Sequence, residues 1–209
     1  MKSLLMKTSL FLSVSAMCLM PVALHASSIL SENFDELTPT GSATSAGAFN
    51  AIGGTNVDIV GGNFFGSLCR GPESGNCVDM GGSNGNALGN LELATSLNLT
   101  AGLYNLSFDL IGSGRNQASS TTVTFGSYSQ TFLLASGDLS SGIVNTSVWI
   151  AGGPTQLEFL NNGVPGGNQN IGALLDNVNV SAVPEPGSVG LMLTGVLGAA
   201  GAIRRRLMA

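Results

Sequence analysis

Between residues 27 and 182 this chain has no histidine and no lysine. The single histidine, His25, and both lysines, Lys2 and Lys7, lie ahead of that stretch. Their absence excludes Ser–His and Cys–His nucleophilic catalysis, imidazole zinc centres and Schiff-base chemistry together. Positive charge is scarce as well. Eleven acids face two arginines, Arg70 and Arg115, a formal balance of −9. Nucleic acid and anionic membranes both require basic patches, so neither is an expected partner of this segment. The surface suits calcium, neutral glycans and an extracellular medium.

The two ends of the chain are built differently. Lys2 and Lys7 precede an apolar run from Leu10 to Leu24, and Ala26 supplies a small residue for cleavage. That order reads as a secretory signal peptide over residues 1–26, with signal peptidase as its processing partner. Leu24 is a poor residue at minus three, so cleavage after Ser28 is the alternative. Cys18 follows Ser15-Ala16-Met17, a poor lipobox, and belongs to the discarded peptide.

At the other end, residues 183–209 run Val183-Pro184-Glu185-Pro186, then an apolar segment from Gly187 to Ile203, then Arg204-Arg205-Arg206. Two prolines around a glutamate continue neither a strand nor a helix, so the tripeptide stays extended. The uncharged segment is just long enough to cross a bilayer core of about 30 Å. The arginine cluster resists translocation and holds its end on the cytoplasmic side. The whole tail resembles the PEP-CTERM sorting signal of Gram-negative bacteria. The resemblance implies recognition by an exosortase, cleavage near Pro184-Glu185-Pro186, and passage through the inner membrane to the cell surface or exterior. The arrangement parallels anchor signals whose hydrophobic tail is removed. An ordinary single-span anchor is the alternative.

Residues 27–182 have one domain's length. Two cysteines fall within them, Cys69 and Cys77, flanking a Gly/Pro/Ser/Asn-rich stretch. An even pair in an exported chain predicts a disulfide closing a short loop. Elsewhere the period is two. Tyr104–Leu110, Thr121–Phe125, Tyr128–Leu133 and Val144–Ile150 alternate apolar and polar, and Gly126-Ser127 between the second and third is a two-residue hairpin turn. Shorter strands are expected at Val57–Val60, Asn90–Leu93, Gln156–Leu160 and Leu174–Val180. No helical stripe precedes the tail. The fold expected is all-β, an antiparallel two-sheet β-sandwich, followed by a transmembrane sorting helix. The runs Thr100–Leu110 and Gly172–Val180 resemble jelly-roll domains similar to galactose-binding-like and carbohydrate-binding sandwiches.

Three functions compete. An adhesive or structural component of an exopolysaccharide matrix or biofilm, binding glycan, ranks first. A purely structural surface protein without ligand ranks second. A carboxylate-dependent glycosidase or lyase ranks third: two acids must converge on one cleft, and no recognisable catalytic arrangement is present, so no catalytic residue is assigned. Trp149 shares the phase of Asn145 and Ser147, which turns its ring outward as a platform for a sugar. Arg115, one of two cations, could contact an acidic glycan or pair with a neighbouring acid.

The strand phases also predict a metal site. Leu30, Glu32 and Phe34 share one phase, and so do Leu174, Asp176, Val178 and Val180. Glu32 and Asp176 would then both point to the core, where unpaired charge is costly. A structural calcium is the expected cofactor, with Asp35 completing the shell. The resemblance adds that similar sandwiches carry a calcium between their terminal strands. The alternative is that both acids bond backbone N–H groups or face water.

Overall fold

The computed structural model describes residues 27–62, 64–65, 68–73, 75–85 and 87–183, and in the tail 194–195, 197–198, 201 and 204–206. The expected signal peptide, Pro184, Glu185, Pro186 and most of the expected membrane helix lie outside the described residues. Arg204, Arg205 and Arg206 are helical. Among the described residues no helix is long and apolar enough to cross a membrane.

Ser27–Val183 form one compact unit of strands. The first are β1 (Ser28–Glu32), β2 (Thr40–Ala43), β3 (Ser45–Ala46), β4 (Phe49–Ala51), β5 (Val57–Val60) and β6 (Cys77–Asp79). Next come β7 (Gly81–Gly82), β8 (Ala87–Leu88), β9 (Asn90–Leu93), β10 (Leu97–Leu99), β11 (Gly102–Ile111) and β12 (Ser119–Phe125). The last are β13 (Tyr128–Leu134), β14 (Gly142–Ile150), β15 (Gly153–Thr155), β16 (Leu157–Asn161) and β17 (Leu174–Ala182). Seven strands form the first sheet, in the order β14-β11-β17-β6-β5-β2, with β1 also on β17. Six form the second, β13-β12-β16-β9-β4-β3. The ladders are antiparallel. This is the expected two-sheet sandwich.

Alternation explains the pairing of the sheets. Tyr104, Leu106, Phe108 and Leu110 of β11 are buried, as are Val123 and Phe125 of β12 and Leu157 and Phe159 of β16. They meet in one core across the sandwich. Phe159 packs edge-on against both Phe49 and Phe108, with ring centroids 5.8 and 5.3 Å apart. Such aromatic contacts add about 0.5–1.5 kcal/mol each beyond burial. The β12–β13 hairpin turns at Gly126-Ser127 as expected, Phe125 pairing with Tyr128. Gly126 has φ +57°, and a Cβ there would collide with Ile150. Glycine takes this conformation at no steric cost.

Two strands depart from simple alternation. β1 ends at Glu32, and Phe34 reaches the core at φ 57° from a loop rather than from a continued strand. In β17 the ladder with β11 slips between Ser107 and Asp109, and Asn177 has φ 52°. This bulge re-aims the strand. Leu175, Val178 and Val180 join the main core, whereas Leu174 joins a second cluster with Val60, Cys77 and Ile111. Asp176 therefore shares the outer face with Leu174. It does not point into the sandwich core, contrary to the phase expected from sequence.

The second cluster is roofed by the segment that leads to Cys77. Phe64, Leu68 and Cys69 pack on it. The expected disulfide is present: Cys69 and Cys77 are bonded, with their Cα atoms 5.8 Å apart. It ties the roof to β6, the strand it covers.

Candidate functional site

Trp149 occupies the outer face of β14, as its phase predicts, and is 58% exposed. Beside it lies an open cleft of about 460 Å³. Its walls come from the hairpin turn (Gly126, Ser127), the end of β14 and the residues after it (Trp149 to Gly152), and the approach to β16 (Thr155, Gln156, Glu158). Ser127 Oγ donates to the Trp149 carbonyl at 3.2 Å, which ties the turn to the edge strand. Thr124 Oγ1 donates to Glu158 Oε2 at 3.1 Å, and Gln156 Nε2 donates to the Leu93 carbonyl at 3.3 Å. Gln156 Oε1 is buried without a partner among the described residues. An aromatic wall and a fixed carboxylate thus meet at one concavity. That is a recognition surface for a polar molecule with apolar faces.

Arg115 lies elsewhere. Gly102 pairs with Ile150 at one end of β11, and the loop bearing Arg115 follows the other end, so about ten residues of strand, or ~33 Å, separate it from Trp149. Its guanidinium forms an ion pair with Asp79 and donates to the Asn170 carbonyl at 3.1 Å. Asp79 is fully buried and also accepts from Gly81 N at 2.9 Å and Gly172 N at 3.0 Å. Burial pushes its carboxyl up to about 7, while Arg115 and the two N–H groups pull the other way and Asp58 adds to the rise. Of the two roles weighed for Arg115, glycan contact or pairing with a neighbouring acid, the structure shows the second. A guanidinium neutralising a buried acid is not free to bind ligand.

The expected calcium trio is not assembled either. Glu32 accepts from Phe34 N at 3.0 Å and Ala48 N at 2.8 Å, and a side chain at Gly47 would collide with its carboxylate. Asp35 accepts from Asn76 N at 2.9 Å and from the Asn33 amide at 3.0 Å. Asp176 in turn accepts from Asn177 N at 2.7 Å, so Glu32 and Asp176 both bond backbone N–H groups, the alternative weighed from sequence. Among the described residues no three Asp, Glu, His or Cys side chains are placed to hold an ion as they stand. Asp176 faces away from Glu32 because the β17 bulge sends it to the other side of the sheet.

What surrounds Asp176 instead was not foreseen. Glu73, inside the disulfide loop, is 3% exposed, and neither carboxylate oxygen has a partner among the described residues. Burial, then Asp176, then Asp109 push its carboxyl up to about 9, against the pull of Arg70. Arg70 itself donates to the Gly112 and Ser136 carbonyls at 3.0 and 2.8 Å. The sequence held a faint signal for this cluster, a charged residue in the middle of a short cystine loop.

Residues 182–206 match the PEP-CTERM protein-sorting motif. The chain carries an exosortase sorting signal. It accordingly passes through the membrane to the cell surface, and the described tail residues Arg204–Arg206 fall inside the matched span. No curated protein matches the chain. Among solved structures, the K3 cleaved adhesin domain of Lys-gingipain from Porphyromonas gingivalis W83 is similar at TM-score 0.48 and 15% identity, covering 75% of this chain and 100% of that one. A CBM35 from Paenibacillus barcinonensis is similar at TM-score 0.41 and 16% identity, over 70% and 99%. A family 35 carbohydrate binding module from Clostridium thermocellum gives 0.40 and 13%, over 70% and 99%.

Proposed function

We propose that this protein is an exported, exosortase-processed surface component whose sandwich binds a neutral polysaccharide at the Trp149 cleft, and so acts as an adhesive or structural element of an exopolysaccharide matrix. Signal peptidase removes the N-terminal segment, and the inner membrane holds the chain only while it is being sorted. The observation that carries the binding reading is the exposed Trp149 ring at the edge of an open cleft. Indole faces stack on the apolar faces of sugar rings, while the Glu158 carboxylate in the cleft lining can accept from hydroxyls. Glu158 in the cleft and the acidic domain as a whole disfavour an anionic glycan.

Hydrolysis is the weaker reading. Glycoside cleavage uses two carboxyl groups about 5–10 Å apart across the scissile bond. Among the described residues lining the cleft, Glu158 is the one acid. A glycan array probed with the exported protein tests the proposal, with binding to neutral saccharides expected and Trp149→Ala at least tenfold weaker. An array without signal, or equal binding by the variant, overturns it.

A further inference from the structure

β14 ends the first sheet, and from Gly142 to Ile150 it has no charge, no proline and no slip in its register with β11. An open sheet margin offers a row of backbone groups to another chain, and proteins blunt such margins with charge, proline or a bulge. This margin has none of the three. β13, which ends the second sheet, is free of charge as well, and the turn before it touches β14. There Ser127 Oγ donates to the Trp149 carbonyl and Gly126 abuts Ile150. Between Asn116 and Leu157 the sequence carries one charged residue, Asp138, while the other ten acids of residues 27–182 lie elsewhere.

The backbone groups left open follow from the ladder. The Leu103 carbonyl accepts from Val183 N at 3.0 Å, on the side away from β14, so Leu103 and its partner Trp149 form a non-hydrogen-bonded pair. Alternation then turns the N–H and C=O groups of Ile143, Asn145, Ser147 and Trp149 away from β11. Local contacts use two of these groups: Ile143 N donates to the Ser140 carbonyl at 3.1 Å, and the Trp149 carbonyl takes Ser127 Oγ. Those of Asn145 and Ser147, mid-strand, face no further strand among the described residues. Side chains show the same opening. Val144 and Thr146, in the inward phase, are only half-buried, whereas Val148 is buried.

We infer that β14 pairs with β14 of a second copy of this chain, antiparallel and centred on Thr146, so that two sandwiches share one continuous sheet. A two-fold interface must be complementary to itself. This strand reads alike in both directions from Thr146: Asn145 falls opposite the copy's Ser147, Val144 opposite Val148, and Ile143 opposite Trp149. Asn145 and Ser147 exchange the open N–H and C=O groups. Their side chains repeat a pairing already present in the fold, where Asn105 stands opposite Ser147 and Ser107 opposite Asn145. Val148 of the copy covers the half-buried Val144, and Trp149 of the copy lies beside Ile143, which is 41% exposed. Thr146 meets itself, a favourable cross-strand pair. Charge selects the same margin, because two domains of formal charge −9 repel least where neither carries an acid. The pairing uses up the margin that makes it, so assembly stops at the dimer. The outward face of each indole stays open, and the inference stands apart from the glycan reading.

The exported protein, in density-matched detergent, is the material for the test. A single strand margin makes a small interface, so a dissociation constant on the order of 10 µM is expected. Sedimentation equilibrium at about ten times that concentration should find mostly dimer and nothing larger. Thr146→Cys should form an intermolecular disulfide on mild oxidation, since Cα atoms in such a non-hydrogen-bonded pair stand about 4.5 Å apart. The domain's own cysteines are bonded to each other and do not compete. Asn50→Cys, exposed on β4 at the far side of the second sheet, should crosslink poorly. Thr146→Lys sets two ammonium groups face to face and should weaken the dimer at least tenfold, with the circular dichroism unchanged. Whatever Thr146→Lys does to folding, the crosslink decides independently. Monomer at every concentration, a dimer indifferent to Thr146→Lys, or crosslinking no better with Thr146→Cys than with Asn50→Cys would each overturn the pairing.

Discussion

Leu103 stands directly opposite Trp149 across the β11–β14 ladder, and both side chains lie on the outer face, 46% and 58% exposed. Two large apolar groups held side by side on the outer face near a sheet edge gain little from the fold, since about half of each stays wet. Their value to the molecule is as a surface. Trp149→Ala should accordingly change stability by no more than about 0.5 kcal/mol, as exposed substitutions do, while glycan binding falls. Chemical denaturation of the variant alongside the array separates the two effects. A loss of several kcal/mol would make Trp149 a packing residue and remove the basis of the platform.

Sorting has an outcome that mass spectrometry reads directly. The PEP-CTERM motif covers residues 182–206. Surface-purified protein should end near Pro186, its hydrophobic tail having been removed as in other processed anchors. Recovery of a peptide containing Arg204 from that material would count against processing.

The strands were legible in the sequence wherever one face of the sheet is dry and the other wet. β9 falls on Asn90–Leu93 as expected and Trp149 has the predicted face, while β5, buried at every position, was legible as a short apolar run at Val57–Val60. Alternation fails as a guide where the backbone slips. Asp176 shares a parity with Val178 and Val180, yet the bulge at Asn177 separates it from them. Phe34 shares a parity with Glu32, yet arrives from a left-handed residue after the strand has ended. Asn177 carried a weak signal, since asparagine tolerates positive φ; Phe34 carried none. The short strands β2 to β4 and β7 were illegible for another reason. Each spans only two to four residues, too few to show a period.

The disulfide should behave as a local clamp. Closing a loop of eight residues' separation contributes about 2–3 kcal/mol through the unfolded chain. Cys69→Ser with Cys77→Ser should lower stability by that amount and leave the main sandwich intact, because its core draws on neither cysteine. Amide exchange should quicken in the roof over Leu174 and Ile111 while β12 and β16 stay protected. Equal loss of protection in both sheets would show that the roof is part of a single cooperative core.

Asp79 and Arg115 provide the pH dependence. Unfolded, Asp79 releases its proton near 4; folded, burial raises that to about 7 despite the guanidinium. Between those values the folded chain holds the proton more firmly than the unfolded one. The contribution of this group is therefore greatest below about 4, falls as pH rises toward 7, and is level above it. Removing the counter-charge sharpens the contrast. Arg115→Gln leaves a buried carboxylate with only the N–H groups of Gly81 and Gly172. At pH 8, where Asp79 is ionised, breaking such a pair should cost about 3–5 kcal/mol. At pH 5 the acid is protonated in the folded chain and needs no cation, so the same substitution should cost markedly less. Urea denaturation of parent and variant at both pH values measures the difference. An equal cost at pH 5 and pH 8 would mean that Asp79 is ionised throughout, and that Arg115 together with the two backbone donors outweighs burial.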